Sequence, residues 1–155
     1  MRWTLVVGAV VALVLVGAAE SAESARQLAE LPGRGRPLLT GGGAVLTLVG
    51  LACSVAIYGL LGWSVARAGA SAQRALRTGV AVGICAGLIG GTVRAAFVRD
   101  YVVDTVAHFG LRAEVATGAL AIFVLGAVVV SAAGGGALTW LGFRFAPSNR
   151  PRPRS

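Results

Sequence analysis

Residues 78–93 read TGVAVGICAGLIGGTV, a stretch without a charge that holds five glycines: Gly79, Gly83, Gly87, Gly90 and Gly91. Four of them, Gly79, Gly83, Gly87 and Gly91, recur every fourth residue, so a helix gathers them into one smooth stripe. In water each would cost such a helix about 1 kcal/mol against alanine. In a bilayer the backbone must bond to itself in any case, and a glycine groove lets a second helix approach closely. The stretch predicts a transmembrane helix over residues 78–98 whose role is packing. It also sets the fold class: an all-α integral membrane protein, a bundle of four transmembrane helices with glycine-zipper packing on the third.

Composition agrees with that reading. Of 155 residues, 56% are hydrophobic and 13% charged, against about 25% charged in a soluble domain. The apolar residues fall in long runs, which predict further spans over residues 3–19, 40–65 and 116–143. The first run has a rival reading as a signal peptide, with Gly17-Ala18-Ala19 as its cleavage site. A polar helical extension follows it, with Arg26 and Glu30 four apart. Pro32-Gly33 and residues 34–37 then turn the chain back. Residues 67–77 and 99–114 are expected to be loops, the second lying at the membrane surface. Residues 144–155 form a Pro- and Arg-rich tail expected to be disordered. Tyr58, Trp63 and Trp140 are the expected interface anchors. On the fourth span Gly118, Gly126 and Gly134, eight apart, offer a sparser small face, and Gly134-Gly135-Gly136 is a place to kink.

Charge gives the orientation. All 14 basic residues are Arg, a usage that points to a GC-rich bacterial genome. Arg2, the 67–77 segment and the tail together carry eight Arg and no acid, while the remaining six Arg accompany all six acids. The formal charge of +8 therefore lies on one face. By the positive-inside rule both termini are cytoplasmic in a bacterial inner or plasma membrane. The Arg-rich face suits anionic lipid headgroups rather than nucleic acid.

Few groups offer chemistry. Asp100, Asp104, His108 and Arg112 stand four apart, so a helix aligns them as a wet stripe of ion pairs. The sharper reading makes Asp100, Asp104 and His108 metal ligands, although two carboxylates and one imidazole make a poor zinc set. Arg94 is the one charge inside a span; it either reaches the headgroups, with Glu20 or Glu23 as counter-ion, or meets an anion. Cys53 and Cys85 lie in apolar runs and read as small buried residues. There is no CxxC, no GxSxG, no HExxH and no phosphate-binding loop, and no cofactor is expected. Gly90-Gly91 before Arg94 resembles the glycine–arginine stretch of small fluoride channels. The membrane Asn those channels need is missing, since the single Asn is Asn149. The expected function is non-enzymatic: an accessory or scaffolding subunit that packs through glycine faces, as a homo-oligomer or within a larger membrane complex. The alternative is a homo-oligomeric transporter or channel for a small solute.

Overall fold

A computed structural model describes residues 3–29 and 41–147. Four helices follow one another: α1 (Trp3–Ala29), α2 (Gly41–Arg67), α3 (Ala72–His108) and α4 (Ala113–Arg144). No strand occurs among the described residues. Three stretches are long and apolar enough to cross a membrane, Thr47–Arg67, Ala72–His108 and Ala113–Arg144, and α1 adds a shorter apolar stretch, Val6–Ala19. The turn expected at residues 32–37, the Arg26–Glu30 pair and the tail from residue 148 lie outside what is described.

The helices outrun the apolar stretches that announce them. The 99–114 segment, expected as a surface loop, is helical to His108 and again from Ala113. Arg74 and Arg77, expected in a loop, lie in the first turns of α3. An apolar run ends where the bilayer ends, but a helix ends only where something stops it. At 1.5 Å per residue the 37 residues of α3 reach about 55 Å, well past a hydrocarbon core of about 30 Å. What stops α3 is Gly110, with φ +66°. Its N–H donates to Ala107 O and that of Leu111 to Val106 O, a Schellman turn that needs a left-handed residue. Gly69, with φ +70°, closes α2 the same way, through Gly69 N–H to Ala66 O and Ala70 N–H to Val65 O. Ser71 then caps α3, its side chain accepting from Arg74 N–H. The triple glycine 134–136 does not end α4, which is unbroken to Arg144.

The most extensive contact in the molecule is between α3 and α4, which run antiparallel. Gly79 meets Gly135 and Thr139, Gly83 meets Ser131 and Ala132, Gly87 meets Ala127 and Val128, and Gly91 meets Val124 and Ala127. Each step of four residues along α3 is matched by a step of about four back along α4, so one continuous seam of about 18 Å results. A Cβ placed on Gly79 would fall 2.7 Å from Thr139 Cβ, on Gly83 2.8 Å from Ala132 Cα, and on Gly87 2.8 Å from Val128 Cα. At Gly91 it would stand 3.1 Å from the Ala127 methyl, a tight but looser fit. No side chain of any kind fits at the first three positions.

Helix α2 joins α4 from another side and runs parallel to it. Gly59 lies against Gly142, and Gly62 lies against Thr139 and Phe143. Tyr58 is not an interface anchor: it is buried beside Gly135 and forms a core with Leu61 and Val82. Val6, Ala9, Val10 and Leu13 of α1 cover this core, with Leu138 of α4. Gly118, Gly126 and Gly134 have no atom within 4 Å of where a Cβ would stand. The glycines of α4 that meet a neighbour are therefore Gly135 and Gly136, one and two residues on from the expected stripe, and Gly142, which continues its spacing of eight.

Gly83 and Gly90 separate packing from helix propensity, since Gly90 faces open space. Gly83→Ala should lower stability by about 1–3 kcal/mol through overpacking. Gly90→Ala should be neutral or gain up to about 1 kcal/mol. Thermal unfolding of both variants in mild detergent checks this; equal effects would mean that the α3–α4 approach does not depend on the missing Cβ.

Candidate functional site

Three places concentrate polar or close-packed groups. The first is the junction of α2, α3 and α4 at Thr139, which is fully buried between Gly62 and Gly79. Several other hydroxyls in the apolar helices bond back onto their own helix, as a polar group away from water can. Ser54 donates to Gly50 O at 2.9 Å, Ser64 to Leu61 O at 2.7 Å and Thr92 to Leu88 O at 2.7 Å. Thr139 Oγ1 makes no such bond. The carbonyl one turn before it, Gly135 O, lies against Gly79. Sequence reasoning passed over Thr139, because a threonine in an apolar run is ordinary until its neighbours are known.

The second place is the far half of α3. Arg94 is half-buried and engaged in a polar interaction, so it is held in place on α3; the side chains of Glu20 and Glu23 lie outside those described. Asp100, Asp104 and His108 are exposed, as is Arg112 in the following turn. The inward face of this extension is Val98, Val102, Thr105 and Val106, all half-buried, which leaves the acids and the imidazole pointing off the bundle. His108 has an edge-to-face neighbour in Phe109, with ring centroids 5.7 Å apart. Among the described residues no three His, Cys, Asp or Glu side chains gather as a metal set. The stripe reads as a solvated helix face. Cys85, expected to be buried, is exposed on α3, while Cys53 is half-buried on α2, and both thiols are free.

The third place is the end where α2 and α4 finish and α3 begins. The Arg67 guanidinium lies 4.0 Å from the centre of the Trp63 ring, and that of Arg144 lies 5.4 Å from the centre of Trp140. Both are cation–π arrangements between residues four apart on one helix. Between them opens a cleft of about 500 Å³ that also reaches Ala72 and Phe143. Trp63 and Trp140 were expected near the ends of their helices, where they stand; that each steadies an arginine beside a common cleft was not legible, because α2 and α4 are far apart in sequence.

Comparison with known protein families, with characterised proteins and with solved structures finds no match. Inferences about activity therefore rest on the three places above.

Two experiments follow. Thr139→Val replaces an unbonded buried hydroxyl with a methyl group and should leave the unfolding midpoint in detergent unchanged or raised. A loss above about 1 kcal/mol would mean that the hydroxyl has a native partner. Zinc or manganese titrated onto the purified protein should show no site that disappears in His108→Ala; a stoichiometric one that does would restore the metal reading of Asp100, Asp104 and His108.

Proposed function

We propose that the chain is a non-enzymatic integral membrane protein, a small scaffolding or accessory subunit that spans the bilayer four times. The carrying observation is how its surface is divided. The glycines of the α3 stripe face into the bundle, against α4, and Gly62, Gly135, Gly136 and Gly142 do likewise, while the outward surface of the apolar stretches is built of large aliphatic side chains. On α4 Ile122, Leu125, Val129 and Val130 are 64–73% exposed, although a soluble helix would turn such residues inward. Exposure on this scale marks a surface covered by lipid or by another membrane protein. The interior supports scaffolding rather than passage: along the glycine seam the two backbones meet, and nothing wider than hydrogen separates them.

The fourth span is α1. Its support is the packing of Val6, Ala9, Val10 and Leu13 over Tyr58, Leu61 and Val82, which favours a retained helix over a cleaved leader. The end that carries Arg67, Arg74, Arg77 and Arg144 faces the cytoplasm by the positive-inside rule, which puts His108 and Glu114 on the far side. The glycine zipper at Gly79, Gly83, Gly87 and Gly91 serves this architecture as its internal fastening.

The test is purification from the native host in mild detergent through a C-terminal tag, with the intact complex and the mature chain both weighed. A stoichiometric foreign partner, and a mature chain that keeps residues 1–19, are the expected results. A clean homo-oligomer would replace the accessory reading with the transporter alternative. A mature mass lacking residues 1–19 would leave three spans. Single cysteines introduced at Arg77 and Glu114 in a Cys53→Ala, Cys85→Ala background should react with an impermeant maleimide in intact cells only at position 114; the reverse pattern overturns the orientation.

A further inference from the structure

We infer that the cleft between the ends of α2 and α4 is a specific site for the phosphate of an anionic glycerophospholipid. This rests on the membrane reading above and goes beyond a general attraction of Arg-rich faces for negative bilayers, because it assigns particular residues.

Three observations converge. First, two arginines, Arg67 and Arg144, line one cleft of about 500 Å³. Each is steadied by an indole, Trp63 and Trp140 respectively. A guanidinium held over a ring by its charge still has N–H groups for an oxygen acceptor, and a guanidinium can bind phosphate in a fork. Second, neither arginine has a carboxylate partner among the described residues. None of the acids lies in residues 67–77 or 144–155, while Asp100, Asp104 and Glu114 belong to the opposite end. The side-chain charge at the cleft is therefore of one sign. Third, the remaining wall is apolar, with Phe143, Trp140 and Pro147.

These features select among anions. A free phosphate or nucleotide has no use for the phenyl and indole walls, and the volume exceeds what a bare phosphate fills. A glycerophospholipid sets its phosphate at the depth where tryptophans concentrate and continues inward as hydrocarbon.

The test weighs the full-length protein released from nanodiscs of equal phosphatidylglycerol and phosphatidylcholine, counting the lipids that stay bound. Wild type should retain phosphatidylglycerol over phosphatidylcholine by about tenfold: both lipids offer the phosphate, but phosphatidylcholine also brings a trimethylammonium up to the two guanidiniums, a like-charge contact that phosphatidylglycerol avoids. Arg67→Gln with Arg144→Gln should bring the ratio to parity. Arg74→Gln with Arg77→Gln, which removes the same charge from the same end, should leave it unchanged. Arg67→Lys with Arg144→Lys should fall between, since it keeps charge and loses the fork. Equal losses in both glutamine pairs would overturn the site in favour of diffuse surface charge. Displacement of the lipid by millimolar inorganic phosphate would overturn the lipid assignment in favour of a soluble phosphate. Alkaline extraction of the native membranes separates the two levels: release of the protein ends the membrane reading itself, whereas firm insertion without lipid preference ends only this proposal.

Discussion

The structure depends on two backbones being allowed to touch. Along Gly79, Gly83 and Gly87 the surface of α3 is reduced to main chain, and α4 comes close enough that even a methyl group has no room. Between membrane helices no hydrophobic force separates protein from lipid tails, so association must come from packing and polar contact at short range. Close approach supplies it over some 18 Å of seam. The same solution recurs at smaller scale on the other side of α4, where Gly59 meets Gly142 and Gly62 meets Thr139. Helix α4 is thus the common partner, with its small residues shared between two neighbours and its bulky ones left facing out.

That division explains what could and could not be read from the sequence. The α3 stripe was legible because its period of four is one face of a helix whatever it meets. The α4 partner face was not. Gly118, Gly126 and Gly134 make the neater pattern, yet the register set by α3 selects Gly135 and Gly136, and a run of three glycines gives no hint of which will be chosen. Gly59 and Gly62 carried no pattern at all, since each is used once, against a helix eighty residues away in the chain. Tyr58 misled for a related reason: near the end of an apolar run a tyrosine looks like an interface residue, and only the gap over Gly135 makes it core. The helix ends were missed because hydropathy reports the solvent, whereas Gly69 and Gly110 end helices by backbone conformation.

At the arginine-bearing end the two halves of the chain meet again. The α2–α3 turn and the end of α4 come from distant stretches, and each alone is an unremarkable basic helix terminus with a nearby tryptophan. Brought together by the glycine contacts beneath them, they enclose a cleft with two fixed guanidiniums. The seam and the cleft are therefore linked: a spacing set in the interior decides how far apart the charges stand at the surface.

The position of α4 has a consequence for how the protein comes into being. Helices α2 and α3 are neighbours in the chain but touch each other least among the contacting pairs; each is held chiefly by α4. A ribosome makes α2 and α3 first. Until α4 follows, the bare backbone at Gly62, Gly79 and Gly83 lacks the helix that fits it, and α1 is the one neighbour already made that packs on both α2 and α3. The tightest contacts of α2 and α3 thus wait for the helix that is made last.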